Sequence, residues 1–201
     1  MIGLARLDNV QDCIRTIIAD GVPGDVMETG IWRGGCGIFM RAALEAYGDR
    51  NRVVWLADSF EGLPPPSPSE YPADEGDPHS TLQPYLGVSL DTVKQNFELF
   101  EMLDDRVRFL PGWFRDTLPA APVERIAVLR LDGDMYESTI VALSALYPKV
   151  SAGGFVIIDD YGALPRCRQA VEDYRASEGI TDEVTMVDWT GAFWRKAART
   201  S

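Results

Sequence analysis

Apolar residues recur along this chain in two alternating rhythms. Val10, Cys13, Ile14, Ile17 and Ile18 fall at the three- and four-residue spacing of a helix face, and Gly21 closes that run. Asp25-Val-Met-Glu-Thr-Gly30 is short and apolar enough for a buried strand; a glycine-rich turn follows, then a helical run through Met40 and Leu44. Arg52-Val-Val-Trp-Leu-Ala57 predicts a second strand, closed by Asp58. Leu90, Val93, Phe97 and Phe100 mark another amphipathic helix, with Ser89 suited to cap its first turn. Val107–Leu110 and Ile126–Leu131 predict strands, the latter followed by a helix through Ile140, Leu143 and Leu146. Phe155-Val-Ile-Ile158 is the most apolar strand, introduced by Gly153-Gly154, and a helix spans roughly Arg166 to Ala176. Two late segments, Glu183–Asp188 and Ala192–Arg195, meet around Thr190-Gly191 and predict a terminal hairpin.

Strands alternating with helices predict an α/β domain with a mainly parallel sheet covered on both faces. Seven strands are expected, with the C-terminal hairpin antiparallel. In such sheets ligands sit beyond the carboxyl ends of the strands, near the switch point in strand order. The residues at those ends are Glu28-Thr29-Gly30, Asp58-Ser59, Gly112, Asp132-Gly-Asp134 and Asp159-Asp160. Polar and acidic groups thus gather where this class of fold places a site.

Composition narrows the possibilities. At 201 residues the chain suits one domain. A net charge of −12 excludes a general affinity for nucleic-acid phosphates or anionic lipid, which need a basic face. A hydrophobic content of 46% with five Trp is enough for a real core. No apolar run approaches the roughly 20 residues that span a bilayer, and Asp8, Asp12 and Asp20 interrupt any signal-peptide core. Three distant cysteines without zinc spacing suit reduced thiols, so a cytoplasmic location is expected. Residues 64–84 hold seven of the thirteen prolines, and no Lys or Arg occurs between Arg52 and Lys94. A long acidic loop of this kind, taken as residues 63–88, is expected to be either a functional lid or disordered. His79, the only histidine, lies in it; its ordinary reading is bystander surface, unless the lid carries it to the site.

Glu28-Thr-Gly30-Ile-Trp-Arg-Gly34-Gly35 departs from the dinucleotide fingerprint and lacks the Gly-Lys-Ser/Thr of a phosphate-binding loop. A cofactor without phosphates fits it better, with Asp58 placed to accept hydrogen bonds from ribose hydroxyls. Asp132, Asp134, Asp159 and Asp160 follow two apolar strands, so four acids would crowd one edge. Held close, they repel unless some are protonated or a cation sits among them. Oxygen-only ligands suit a hard cation, Mg²⁺ first. The competing reading is aspartates that merely cap the following helices. Trp32 and Trp113 adjoin the loops and suit either base stacking or core packing, while Cys36 and Cys167 show no sign of activation.

Several motifs in order carry a family resemblance. They are Glu28-Thr-Gly-Ile-Trp-Arg-Gly-Gly35, Asp58-Ser-Phe-Glu-Gly-Leu-Pro64, Phe109-Leu-Pro-Gly-Trp-Phe-Arg-Asp-Thr-Leu-Pro119, Leu131-Asp-Gly-Asp-Met-Tyr-Glu-Ser138 and Gly153-Gly-Phe-Val-Ile-Ile-Asp-Asp-Tyr161. The chain resembles the macrocin O-methyltransferase family, which includes sugar methyltransferases of antibiotic biosynthesis, from Met1 to about Arg195. The resemblance implies a class I, Rossmann-like methyltransferase fold that uses S-adenosylmethionine and Mg²⁺ on a small-molecule glycoside. On the matching positions Asp132, Asp159 and Asp160 would hold the metal and Asp134 would be the general base. Glu28, Thr29, Gly30 and Trp32 would line the methionine side of the cofactor. Asp58 would bind the ribose, with Ser59 and Gly62 beside it; Gly112 would lie near the adenine and Arg130 close to the same pocket. A homodimer is one assembly the resemblance admits, with no nucleic-acid or membrane partner. One departure stands out: family members usually carry a further N-terminal segment before the stretch matching Met1-Ile-Gly-Leu4. Three other readings stay open from the residues alone: a catechol-type methyltransferase acting on a phenol, a non-catalytic partner subunit keeping the fold, and a phosphatase of the haloacid dehalogenase type.

Overall fold

The computed structural model describes residues 2–78 and 83–198; His79 lies outside them. Seven strands, β1 (Asp25–Thr29), β2 (Val54–Asp58), β3 (Val107–Pro111), β4 (Ile126–Leu131), β5 (Val150–Ile158), β6 (Thr185–Met186) and β7 (Ala192–Arg195), form one sheet of order β3-β2-β1-β4-β5-β7-β6. The first five pair in parallel, while β7 runs antiparallel to β5 and β6. The order reverses between β1 and β4, and that is the crevice where a ligand is expected.

Alternation along the strands feeds two separate cores. Val26 and Val128 face one side with Ile14 and Ile17 of α1 (Leu4–Ala19), Met40 and Leu44 of α2 (Gly35–Ala46) and Phe97 of α4 (Leu90–Leu99). Met27 and Leu129 face the other, with Leu143 and Leu146 of α6 (Tyr136–Leu146) and Val171 of α7 (Pro165–Ser177). Two one-turn helices, α3 (Gln83–Leu86) and α5 (Phe114–Thr117), lie in the connections. Ser89 caps α4 as its position predicts, its Oγ accepting the N–H of Thr92 at 3.2 Å.

Two elements differ from the pattern. β5 begins at Val150, so Gly153-Gly154 lie inside it; the pairing with β4 shifts register there, and Gly153 takes φ +81°, which glycine adopts without strain. β6 is only two residues long, because Asp188 Oδ1 accepts the N–H groups of Thr190 (2.9 Å) and Gly191 (2.7 Å) and turns the chain early. Within the acidic loop a short turn at Pro72–Asp74 is docked on the body of the domain. Asp74, fully buried, accepts the N–H groups of Tyr136 and Glu137 at 2.8 Å each. Arg166 of α7 donates to the carbonyls of Ala73 (2.7 Å) and Glu75 (3.1 Å). Among the described residues no helix is long and apolar enough to cross a membrane.

Candidate active site

The strand ends are stitched together by their own backbones. Gly30 N donates to Ala57 O, Gly112 N to Asp58 O, Asp132 N to Thr29 O and Asp159 N to Leu131 O, each at 2.9 Å. These bonds carry five strand ends onto one ledge. Gly30 sits at φ +78°, and a Cβ there would run into the carbonyl of Asp132, so only glycine lets the turns after β1 and β4 pass so closely. Asp58 organises the same ledge: Oδ2 accepts Ile31 N (2.7 Å) and Trp32 N (3.3 Å), and Oδ1 accepts Phe60 N (2.8 Å). Burial raises its pKa above the usual carboxylate value, and these N–H groups act the other way. Ser59 Oγ donates to Gly62 O at 2.7 Å, so both residues shape the turn after β2.

Beneath the ledge one arginine bridges three acids. Arg130, 2% exposed, reaches Glu28 Oε1 (2.5 Å), Asp132 Oδ2 (2.9 Å) and Asp159 Oδ1 (2.5 Å). The second oxygen of Asp159 pairs with Arg6 of α1, which also meets Asp188 at 3.1 Å. Burial pushes the Glu28 carboxyl up to about 7, against Arg130 and a hydrogen bond with the Cys36 thiol, which pull it down. Thr29 is fully buried, and its Oγ1 has no hydrogen-bond partner among the described residues.

Above this layer Asp132, Asp134 and Asp160 each bring one oxygen within 4.8 Å of the others. Asp134 holds φ +58°, unusual for a residue with a side chain, on the turn that leads into α6. Asp160 is buried beside Asp132, and its pKa is pushed up to about 9 by burial, by the charges of Asp132, Asp134 and Asp159 and by a hydrogen bond shared with Asp132. Converging carboxylates of this kind need a proton or a cation, and an all-oxygen donor set fits a hard divalent ion. Asp159 adjoins the group, but its oxygens face Arg6 and Arg130.

Beside these acids opens a cleft, about 450 Å³ when the open solvent at its mouth is counted. Of the residues expected at a site, Gly30, Asp58, Ser59 and Asp132 line it. Glu28, Thr29 and Arg130 are buried off its lining; Arg130, expected close to the adenine pocket, belongs to the charge layer described above. Gly62 and Gly112 are also off the lining, and Trp32 instead contacts Tyr85, with ring centroids 5.5 Å apart. Trp113 lines the cleft, together with residues not singled out from the sequence, among them Leu63, Phe114, Arg115, Glu137, Ser138 and Val141. Glu137 and Ser138 lie three and four residues past Asp134. The signal that points to them is their place in the first turn of a helix leaving a site-bearing strand.

Comparison with known proteins places the chain in a family. The profile of the macrocin-O-methyltransferase (TylF) family matches residues 1–196. The chain is 57% identical over 198 residues to 8-demethyl-8-(2,3-dimethoxy-alpha-L-rhamnosyl)-tetracenomycin-C 4'-O-methyltransferase of Streptomyces olivaceus, covering 98% of this chain and 76% of that protein. It is 52% identical over 203 residues to mycinamicin III 3''-O-methyltransferase of Micromonospora griseorubida, covering 98% and 78%. The solved structure of the O-methyltransferase NovP superposes with a TM-score of 0.96 at 48% identity, over 98% of this chain and 81% of that one. Fold, strand-end chemistry and sequence therefore converge: this chain belongs to the macrocin-O-methyltransferase family.

Proposed function

We propose that the chain transfers a methyl group from S-adenosylmethionine to a sugar hydroxyl of a glycosylated natural product in antibiotic biosynthesis, with Mg²⁺ as a required ion. The observation that carries this reading is the convergence of Asp132, Asp134 and Asp160 beside a cleft rimmed by Gly30, Asp58 and Ser59. The names of the two relatives, one acting on a rhamnosyl tetracenomycin and one on mycinamicin III, support a glycoside acceptor.

Asp132 and Asp160, with Asp159 beside them, are the residues that would hold the metal. Glu28, Thr29, Gly30 and Trp32 would serve the methionine side of the cofactor, and Asp58, Ser59 and Gly62 the ribose. When bound, S-adenosylmethionine supplies a methyl on a sulfonium centre and Mg²⁺ polarises the acceptor hydroxyl as a Lewis acid. An ordinary aspartate, with a pKa of about 3.9, is a poor base for an unpolarised alcohol. Asp134 is therefore placed to receive the acceptor proton only where Asp132 and Asp160 hold that hydroxyl in reach. Holding donor and acceptor in line on one ledge supplies much of the remaining acceleration.

The test is methyl transfer to a panel of deoxysugar glycosides, followed by mass spectrometry with and without a chelator. A product one methyl heavier, lost on chelation and restored by Mg²⁺, is expected. Asp134→Asn should keep cofactor and metal binding in calorimetry while kcat falls by about 10²- to 10⁴-fold. Near-normal turnover in that variant removes Asp134 from the chemistry, and chelator-insensitive turnover removes the metal.

A further inference from the structure

Glu137 stands in an arrangement that the fold alone does not explain. Its backbone N–H is held by Asp74 at 2.8 Å, and its Oε1 is paired with Arg115 at 2.5 Å. Oε2 is buried and has no hydrogen-bond partner among the described residues, and the residue as a whole is 3% exposed. A buried charged acceptor without a donor is costly, and native structures keep such groups rarely. Arg115 makes ionisation affordable on one oxygen and leaves the other waiting for a donor. Glu137 lines the cleft, so a bound ligand can bring that donor.

The cleft indicates which ligand. Its lining combines the polar Asp58, Ser59 and Asp132 with the apolar Leu63, Trp113, Phe114 and Val141. Of the three converging aspartates only Asp132 reaches its lining, so the acceptor hydroxyl belongs on the far side of Asp132. The cleft is left for the methyl donor. A planar base suits its apolar and aromatic walls, and an adenine presents an exocyclic amino group as donor. Resting on the cofactor reading above, we propose that Glu137 is the acceptor for the 6-amino group of the adenine. Glu137 is then the residue that selects adenine over bases carrying an oxygen there, and Arg115 positions it.

The discriminating probes are S-adenosylhomocysteine and S-inosylhomocysteine, in which a carbonyl oxygen replaces the amino group, titrated calorimetrically into the full chain. Wild type should bind the adenosyl compound at least about tenfold more tightly, the scale of one hydrogen bond to a charged group. In Glu137→Gln, Arg115 draws the amide oxygen and turns the NH₂ towards the base. Affinity for the adenosyl compound should then fall about 10- to 100-fold while the inosyl compound gains, shrinking or inverting the ratio. Glu137→Asp, which keeps the charge and the helix start, should weaken binding yet retain the preference. Equal affinity of wild type for the two probes overturns the proposal without any variant, as does an unchanged ratio in a folded Glu137→Gln protein. Failure of wild type to bind S-adenosylhomocysteine at all overturns the cofactor reading, and this inference with it.

Discussion

Arg130 shows how a single side chain sets the charge of the site. It is the counter-ion of Glu28, Asp132 and Asp159, so its removal strands the buried Glu28 and takes one partner from the other two acids. Breaking a buried pair from one side costs about 3–5 kcal/mol, while replacing both partners with neutral groups is far cheaper. Arg130→Met should therefore lower unfolding free energy by about 3–5 kcal/mol in urea titrations, and adding Glu28→Gln should restore part of the loss. A single variant within about 1 kcal/mol of wild type contradicts this account. The acids were legible in the sequence because each ends a strand. The pairing of Asp159 with Arg6 was not, since 153 residues separate them and no local pattern encodes the contact.

Among the elements, α4 and α6 begin by opposite means. α4 is capped by Ser89, three residues from the amide it satisfies, and this is readable from the sequence. The cap position of α6 is Met135, whose side chain offers no oxygen; Asp74, from a loop about 60 residues upstream, takes that part. The acidic loop thus holds the helix that carries Glu137 and follows the Asp132–Asp134 turn. Asp74→Ala should cost about 0.5–2 kcal/mol in chemical denaturation, as other lost caps do, and Asp74→Ser should recover much of it. Equal losses in both variants would show that the cap is not what Asp74 contributes. The composition of residues 63–88 pointed to a loop; which of its residues dock depended on distant packing.

Away from the site, charge is gathered into a network centred on two arginines that ties α2 to the turn before β3. Arg41 of α2, 5% exposed, binds Asp104 (2.5 Å) and Glu45 (3.1 Å), and Arg106 joins both acids at 3.4 and 2.9 Å. The hydrogen bond from Arg41 is the chief cause holding the Asp104 pKa below its ordinary value of 3.8. A carboxylate depressed in the folded state adds stability above its unfolded pKa, and that stability is lost as pH falls through the folded value. Asp104→Asn should therefore reduce stability by about 1 kcal/mol at pH 7, the low end for a partly exposed charged bond. The gap to wild type should begin to narrow near the unfolded pKa of 3.8 and close as pH falls through the lower folded value, as followed by thermal unfolding across pH. A gap that persists in acid would assign the effect to packing.

Periodicity alone gave the alternation of strands and helices, the parallel sheet and the acids at its carboxyl edge, because these depend on spacings of two to four residues and on turn chemistry. It did not resolve the register shift at Gly153-Gly154, the shortened β6 or the docking of Pro72–Asp74, which follow from contacts between segments far apart in the chain. The site divides in the same way. Asp132, Asp134 and Asp160 were found by position, whereas the cleft residues Phe114, Arg115 and Glu137 acquire meaning only once β3, β4 and α6 converge. Burial and charge pairing are properties of a packed volume, and a linear pattern carries the ingredients of that volume without its geometry.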